Sequence, residues 1–381
     1  MTAPTTLAPP VVSQPHVTLR GREIPVVLPN RRDPRLKLSA VIMTLHVLGQ
    51  TVLGFKVSIA QIAISIAVCA IVEAAVTFRS QRILVWPASG ILTGSSVAFI
   101  LRASGTPHGD WWSLRGIQFF VLAGLISLLS KHLIRPGGRH LFNPSNVGIV
   151  WCLLVIGPNH VFAQYLWWGP NRVGVALAYA VILFGALWIL RSVRMVPMAV
   201  SFLVTFATLI GIFALNGRSF IAIWHEGPIS GVSYWLNIAA SPELLVFVFF
   251  MISDPQTAPK SPVGRVIYGA ATATVAAGLI FFQPTEFGIK VAILSSLTVV
   301  CALVPLIEST SQRLWQGRRS LSEARPSETF PLSRRLAGAR RPAVLAALII
   351  AVAAPLDTAA LSRNKQVILI ERGQVGARNA Q

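Results

Sequence analysis

VSIAQIAISIAVCAIVEAAVTF, residues 57–78, decides the class of this protein. The stretch is 22 residues long and holds one charged side chain, Glu73. A helix of that length reaches about 33 Å, and the hydrocarbon core of a bilayer is about 30 Å thick. A surface helix of a soluble protein would carry a polar face along its length. This one is apolar all round, so it reads as a membrane span.

Working outward, comparable runs cover residues 38–55, 83–101, 116–134, 141–157, 173–190, 195–215, 236–252, 266–282 and 289–307, which makes ten. The third, fifth and eighth in chain order are short or carry Gly, Ser, Asn and Pro, and read as broken helices. An eleventh run, residues 343–361, is interrupted by Pro355 and Asp357. The whole chain agrees with its runs. Of 381 residues 54% are hydrophobic and 12% charged, against about 25% charged in soluble domains. A disordered chain, a coiled coil and an ordinary soluble enzyme are excluded. The fold class is an all-α polytopic membrane protein.

The charge is lopsided, with 33 Lys and Arg against 13 Asp and Glu and a net charge of +20. Its placement accounts for it. With the N-terminus inside, Arg79, Arg82, Lys131, Arg135, Arg139, Arg191, Arg194, Lys260 and Arg265 all fall in inner segments. Lys56, Arg102, Arg115, Arg172, Arg218 and Lys290 are the few in outer ones. Positive residues flanking spans favour the cytoplasmic side, so the N-terminus is expected in the cytoplasm. The surplus is a topology signal and a contact with anionic lipid. The lipid bilayer, and no nucleic acid, is the partner it indicates. Five segments follow. Residues 1–36 are a Pro-rich, basic tail expected to be disordered, with no apolar segment of the kind a cleavable leader needs. Residues 37–308 are the ten-helix core, 309–342 a basic cytoplasmic linker, 343–361 a C-terminal span and 362–381 a tail.

Cys69, Cys152 and Cys301 each stand alone in an apolar run, with no CxxC pair, so they read as small buried hydrophobes. His46 stands alone within the first run and reads as a packed, hydrogen-bonded residue. No metal site is expected.

Charged residues inside a membrane are costly and are functional suspects by default. Glu73 and Glu243 are the candidates for an ion pathway. Glu73 also has a structural reading, pairing with Arg79 near the interface. Glu243 follows Pro242, which favours a helix start, and an acid in the first turn suits the helix dipole. Two motifs form a pair, Phe142-Asn143-Pro144-Ser145-Asn146 and Ser253-Asp254-Pro255-Gln256-Thr257-Ala258-Pro259. Each sets Asn or Asp before Pro, which disfavours helix there and offers a side chain to nearby backbone N–H groups. One lies in each half of the ten runs, as in repeats that share a central site. A third interruption, residues 89–96 (SGILTGSS), has the small residues of close helix packing or a re-entrant segment. The Trp-rich outer loops (Trp111, Trp112, Trp167, Trp168, Trp224, Trp235) read as an interfacial belt, or as a stacking surface for a planar ring.

The passage FFMISDPQTAPKSPVGRVIYG, residues 249–269, resembles a passage of RnfD and NqrB, membrane subunits of bacterial Rnf and sodium-pumping NADH:quinone complexes. Residues 131–146, KHLIRPGGRHLFNPSN, and Leu92-Thr93-Gly94 are similar to two further passages of those subunits, in the same order. Within that superfamily the chain looks most like the UnbU-type proteins named from enediyne biosynthetic clusters. The resemblance implies two inverted halves in a urea-transporter-like arrangement, in a bacterial inner membrane. It implies electron transport coupled to ion movement, FMN or another flavin or a quinone as cofactor, and further membrane or soluble redox subunits as partners. Family members attach FMN to a Thr in D-x-x-(S/T)-G-A-(S/T) on the outer face. The nearest passage here is Glu226-Gly227-Pro228-Ile229-Ser230-Gly231-Val232-Ser233. Ser230 and Gly231 match, Ser233 stands at the acceptor position, Val232 replaces Ala, and Gly227 stands where Asp is expected. Those departures count against covalent attachment. The cofactor-binding candidates implied are Ser230, Gly231, Ser233, Asn143, Asp254 and Thr257. No set of catalytic residues for a self-contained enzyme is present, so any oxidoreductase role is that of one subunit. Two other functions fit the same spans: a non-redox transporter of a small solute or natural product, and a membrane assembly or anchoring subunit.

Overall fold

The structure is a computed structural model and describes residues 15–19, 21–30, 33–164 and 172–320. The chain is a mostly helical, multi-pass membrane protein. Helix α1 (Pro34–Thr51) begins where the Asp33 carboxylate accepts the Arg35 amide at 2.9 Å, with Pro34 in the first turn. Helix α2 (Ile59–Gln81) opens on a reciprocal cap. Ser58 Oγ accepts the Gln61 amide at 3.0 Å, and Gln61 Oε1 accepts the Ser58 amide at 2.8 Å. Helices α3 (Ala88–Ile100), α4 (Ile117–Leu133) and α5 (Pro144–Trp151) complete the first half, α5 running on as a π turn, Cys152–Ile156. The second half holds α6 (Arg172–Val193), α7 (Val196–Leu215), α8 (Gly231–Ala239), α9 (Pro242–Val246) with a π turn over Phe247–Met251, α10 (Pro262–Ile280) and α11 (Glu286–Ser320).

Each of the ten predicted runs holds a helix, but the helices are not equal. Among the described residues six are long and apolar enough to cross a membrane: Ile59–Gln81, Val173–Val193, Val196–Leu215, Gly231–Met251, Pro262–Ile280 and Glu286–Arg313. Ala88–Ile100, Ile117–Leu133 and Pro144–Ile156 are shorter. The third, fifth and eighth runs are the irregular ones, as their composition implied. α3 has 13 residues, α5 leaves α geometry after eight, and the eighth run breaks at Ala240-Ser241, where Ser241 and Pro242 start a new helix. Apolar side chains also face outward, among them Ile71, Phe184 and Val204, as a surface bathed in lipid tails allows.

Short strands join the helices. β1 (His16–Leu19) and β2 (Arg22–Val27) form an antiparallel pair, and β2 pairs in parallel with β3 (Leu84–Val85), Val26 against Leu84. The N-terminal stretch expected as a disordered tail therefore holds a three-stranded sheet with the α2–α3 turn. β4 (Leu101–Ala103) pairs with β5 (Val161–Ala163), and β6 (Ser219–Ile221) with β7 (Pro228–Ser230). At the other terminus α11 runs to Ser320, into the stretch expected as a linker. The predicted span 343–361 and the tail 362–381 lie outside the described residues.

Small residues let the helices touch. A Cβ at Gly94 would meet the Ser65 carbonyl oxygen and lie 2.7 Å from Ile66 Cα, so α3 rests directly on the α2 backbone. Ser65 Oγ reinforces the contact by donating to the Gly94 carbonyl at 2.9 Å. The two ends of the bundle differ. At the basic end Arg265 Nη1 donates to the Arg194 carbonyl at 2.7 Å, and the Lys260 amide donates to Glu308 at 3.2 Å. The opposite end carries the β4–β5 and β6–β7 pairs and the start of α11.

Candidate functional site

Three short elements converge near the opposite end. The first is α9. Ser241 Oγ accepts the Leu244 amide at 3.2 Å, which fixes the helix start and sets Glu243 in its first turn. The second is the first turn of α11, begun by Thr285 Oγ1, which accepts the Gly288 amide at 3.2 Å. The spacing Glu286-x-x-x-Lys290 puts those two side chains on one face. The third is β5, whose successor Gln164 is held by its amide on the Ile100 carbonyl at 2.7 Å.

Lys290 is the centre of the cluster and is 4% exposed. Its Nζ donates to the Gln164 carbonyl at 2.8 Å, and lies 2.9 Å from Glu286 Oε1 and 3.3 Å from Glu243 Oε1. The two carboxylate contacts are ion pairs lying off the hydrogen-bond directions, so both Oε1 atoms accept no hydrogen bond among the described residues. Trp224 Nε1 donates to the second Glu286 oxygen at 2.9 Å, which gives one residue of the aromatic loops a polar duty. Two carboxylates around one ammonium leave an excess of negative charge in a weakly polar setting. That is costly unless something positive joins it.

A cavity of about 40 Å³ lies beside the cluster, bounded by Glu243, Gln164 and Lys290 and otherwise by apolar side chains such as Phe55, Phe99, Phe247 and Met251. Its walls come from both halves of the chain. At roughly 10–15 Å³ per water it holds about three or four. The side-chain Nε2 of Gln164, unlike its backbone amide, is buried and donates to nothing among the described residues. A smaller cavity, about 10 Å³, lies on the other side of Lys290 under Phe220 and Trp224.

The basic end holds the paired motifs, and the fold brings them together. Asn143 caps α5 by accepting the Asn146 amide at 3.2 Å, and its own amide donates to the Met251 carbonyl at 3.1 Å. His140 lies 3.4 Å from Asp254. Arg139 donates to the Pro255 and Gln256 carbonyls at 3.0 and 2.7 Å. Thr257 is buried, and Cys301 faces it, the Asn143 backbone and the Tyr268 hydroxyl, the last at 3.6 Å. The polar groups of each turn are held mostly by the other turn or by their own loop, the arrangement of a clamp.

The other predicted residues lie elsewhere. Glu73 does not pair with Arg79. It pairs with Lys131 at 2.5 Å and His132 at 3.2 Å, and Lys131 also donates to Ser89 at 2.8 Å. Both partners come from the end of α4, which packs along α2 and so reaches Glu73 before Arg79 can turn back. Glu73 and Glu243 therefore sit in two separate clusters. Ser230, Gly231 and Ser233 form an exposed turn at the opposite end. Gly231 adopts φ 59° there to pass from β7 into α8. They do not meet Asn143, Asp254 and Thr257, because the whole length of α7, about 30 Å, lies between the two ends. His46 is packed as expected, 3.2 Å from the Ser95 carbonyl and edge-on to Phe99. Glu286, Lys290 and Gln164 were not among the predicted site residues. The available signal was an acid and a base four apart in an otherwise apolar run.

Residues 160–316 match the model of the NQR2, RnfD, RnfE family. The matched segment holds Gln164, Glu243, Glu286 and Lys290, and also Ser230–Ser233, Asp254 and Thr257; Glu73 and Asn143 precede it. No curated protein is significantly similar to the chain.

Proposed function

From the match of residues 160–316 to the model of the NQR2, RnfD, RnfE family, we propose that the chain is a membrane subunit of an Rnf/Nqr-like electron-transport assembly of a bacterial inner membrane, and that its part is to provide a route for an ion. The observation that carries this reading is Lys290 set between Glu243 and Glu286 beside a cavity walled by both halves of the chain. Intramembrane charges flanked by cavities are what a pathway needs and what a passive anchor has no use for.

The proposal includes two inverted halves and a cytoplasmic N-terminus. Support comes from the packing. α2 packs on α4 as α7 does on α10, α4 on α5 as α10 does on α11, and the halves meet through α1 with α6 and α5 with α11. Each corresponding pair runs in opposite senses between the basic and opposite ends. Asn143, Asp254 and Thr257 serve in this reading as the clamp that joins the halves at the basic end. The place within the superfamily, including the UnbU-type branch, belongs to the proposal as well.

A flavin would act as a carrier of one or two electrons. The turn at Ser230–Ser233 does not by itself fit one, because Ser230, Val232 and Ser233 are exposed. No electron is therefore routed through this turn, and the redox centres are assigned to partner subunits. The test is reductant-driven ion uptake into vesicles made from membranes that contain the chain and its partners. Uptake should fall at least tenfold in Glu243→Gln while electron transfer persists. Uptake that continues without any reductant would instead establish a non-redox transporter.

A further inference from the structure

We infer that Glu243 is a proton-binding site that excludes metal cations, with Lys290 serving as a tethered cation in the place a metal ion would take; this deepens the ion-route reading and rests on it. Among the described residues the oxygens around Lys290 Nζ include the Gln164 carbonyl and one each from Glu243 and Glu286, at 2.8–3.3 Å. A cage of that kind suits a single monovalent cation, and the ammonium already fills it. A metal ion entering from the cavity would face that ammonium at close range. It would also find few oxygens to replace its hydration shell, because the remaining walls are Phe, Val, Met, Ile and Leu.

A proton needs only one oxygen. Among the described residues Glu243 Oε1 and the Gln164 side-chain nitrogen have no hydrogen-bond partner, and both side chains border a space sized for about three or four waters. Waters there would lie against the Glu243 and Gln164 side chains. A hydronium reaching Glu243 gives its proton to a carboxylate oxygen. The new O–H bond forms there as the hydronium O–H bond breaks, and a water remains. The site then holds one ammonium, one carboxylate and one carboxylic acid, and the excess charge is gone.

The charged groups facing Glu243 are Lys290 and Glu286, both on α11. α6 packs on its other side and brings Tyr179, whose hydroxyl is spent on the Ala240 carbonyl at 2.7 Å. Arg102, on β4, lies against the Phe162 ring.

Infrared difference spectra of the purified full-length protein, taken over an acid-to-alkaline series, test this without partners or reductant. The protonated-carboxyl stretch of the half-buried acid should appear on acidification, be lost in Glu243→Gln, and stay unchanged when potassium is replaced by sodium. In Gln164→Leu the band should shift in frequency, because the waters lose an anchor; this variant serves if Glu243→Gln does not fold. In Lys290→Met the vacated cage should make the band sodium-sensitive. Sodium sensitivity of the unaltered protein, survival of the band in Glu243→Gln, or no band at any pH would each overturn the inference. Loss of reductant-driven uptake with the band intact would sink the pathway reading and leave the proton site standing.

Discussion

Replacing Lys290 by Met keeps most of the unbranched stem of the side chain and removes its charge. At an effective dielectric of about 20, unit charges 2.9 and 3.3 Å apart attract by roughly 5.7 and 5.0 kcal/mol. Against that gross gain stands the desolvation of an ammonium that is 4% exposed, a cost of several kcal/mol. What the variant loses on balance is the compensation of two carboxylates, and breaking a buried pair of this kind costs about 3–5 kcal/mol. The assay is reversible unfolding in mixed micelles at neutral pH, reading the free-energy difference from the unaltered protein. Adding Glu286→Gln to Lys290→Met should recover more than half of the loss, because contacting residues of one network couple strongly. A loss under about 1 kcal/mol, the range of an exposed pair, would refute the reasoning that the Lys290 ammonium is buried and tightly coupled to its carboxylates.

Three further outcomes are expected. Gly94→Ala should cost about 1–3 kcal/mol in the same assay, as an overpacked contact does, because the added Cβ meets the Ser65 carbonyl; Gly278→Ala, whose Cβ has open space, is the control and should cost far less. Asn143→Ala should destabilise by about 1–2 kcal/mol through loss of the α5 cap, and faster hydrogen exchange of the Asn146 amide should accompany it. The Arg35 side chain beside Asp33 holds that carboxyl below its ordinary value of 3.8. The carboxylate's contribution is therefore complete above that value and is lost as the pH falls through the lower, folded one. Exchange at the Arg35 amide should rise over that acid range, and Asp33→Asn should remove the pH dependence.

The spans were legible in the sequence because a run of about 20 apolar residues without a polar face is stable in few places besides a bilayer. The sequence also marked which runs would be irregular, since Pro and Gly at 89–96, 143–146 and 241–242 act on the backbone locally. The partners of the charges were far less legible. Glu73 had Arg79 six residues away in sequence, yet α4 approaches from 58 residues further along and brings Lys131 to it. Lys290 looked like one more interfacial cation, since nothing local shows that β5 and α9 will fold over it. The N-terminal hairpin was hidden for the same reason. Residues 16–27 are polar and Pro-containing, and their pairing depends on a strand that stands beyond two helices.

That last pairing has a consequence for the topology of the chain. Hydrogen bonds between Val26–Val27 and Leu84–Val85 cannot form through a bilayer, so the two stretches lie on the same side. Whatever lies between them must cross an even number of times, and what lies between them is α1 and α2. The ribbon is thus a parity check on the first helical hairpin, independent of any count of basic residues. It is also late to close, because β2 leaves the ribosome before either helix exists and must wait for both to insert.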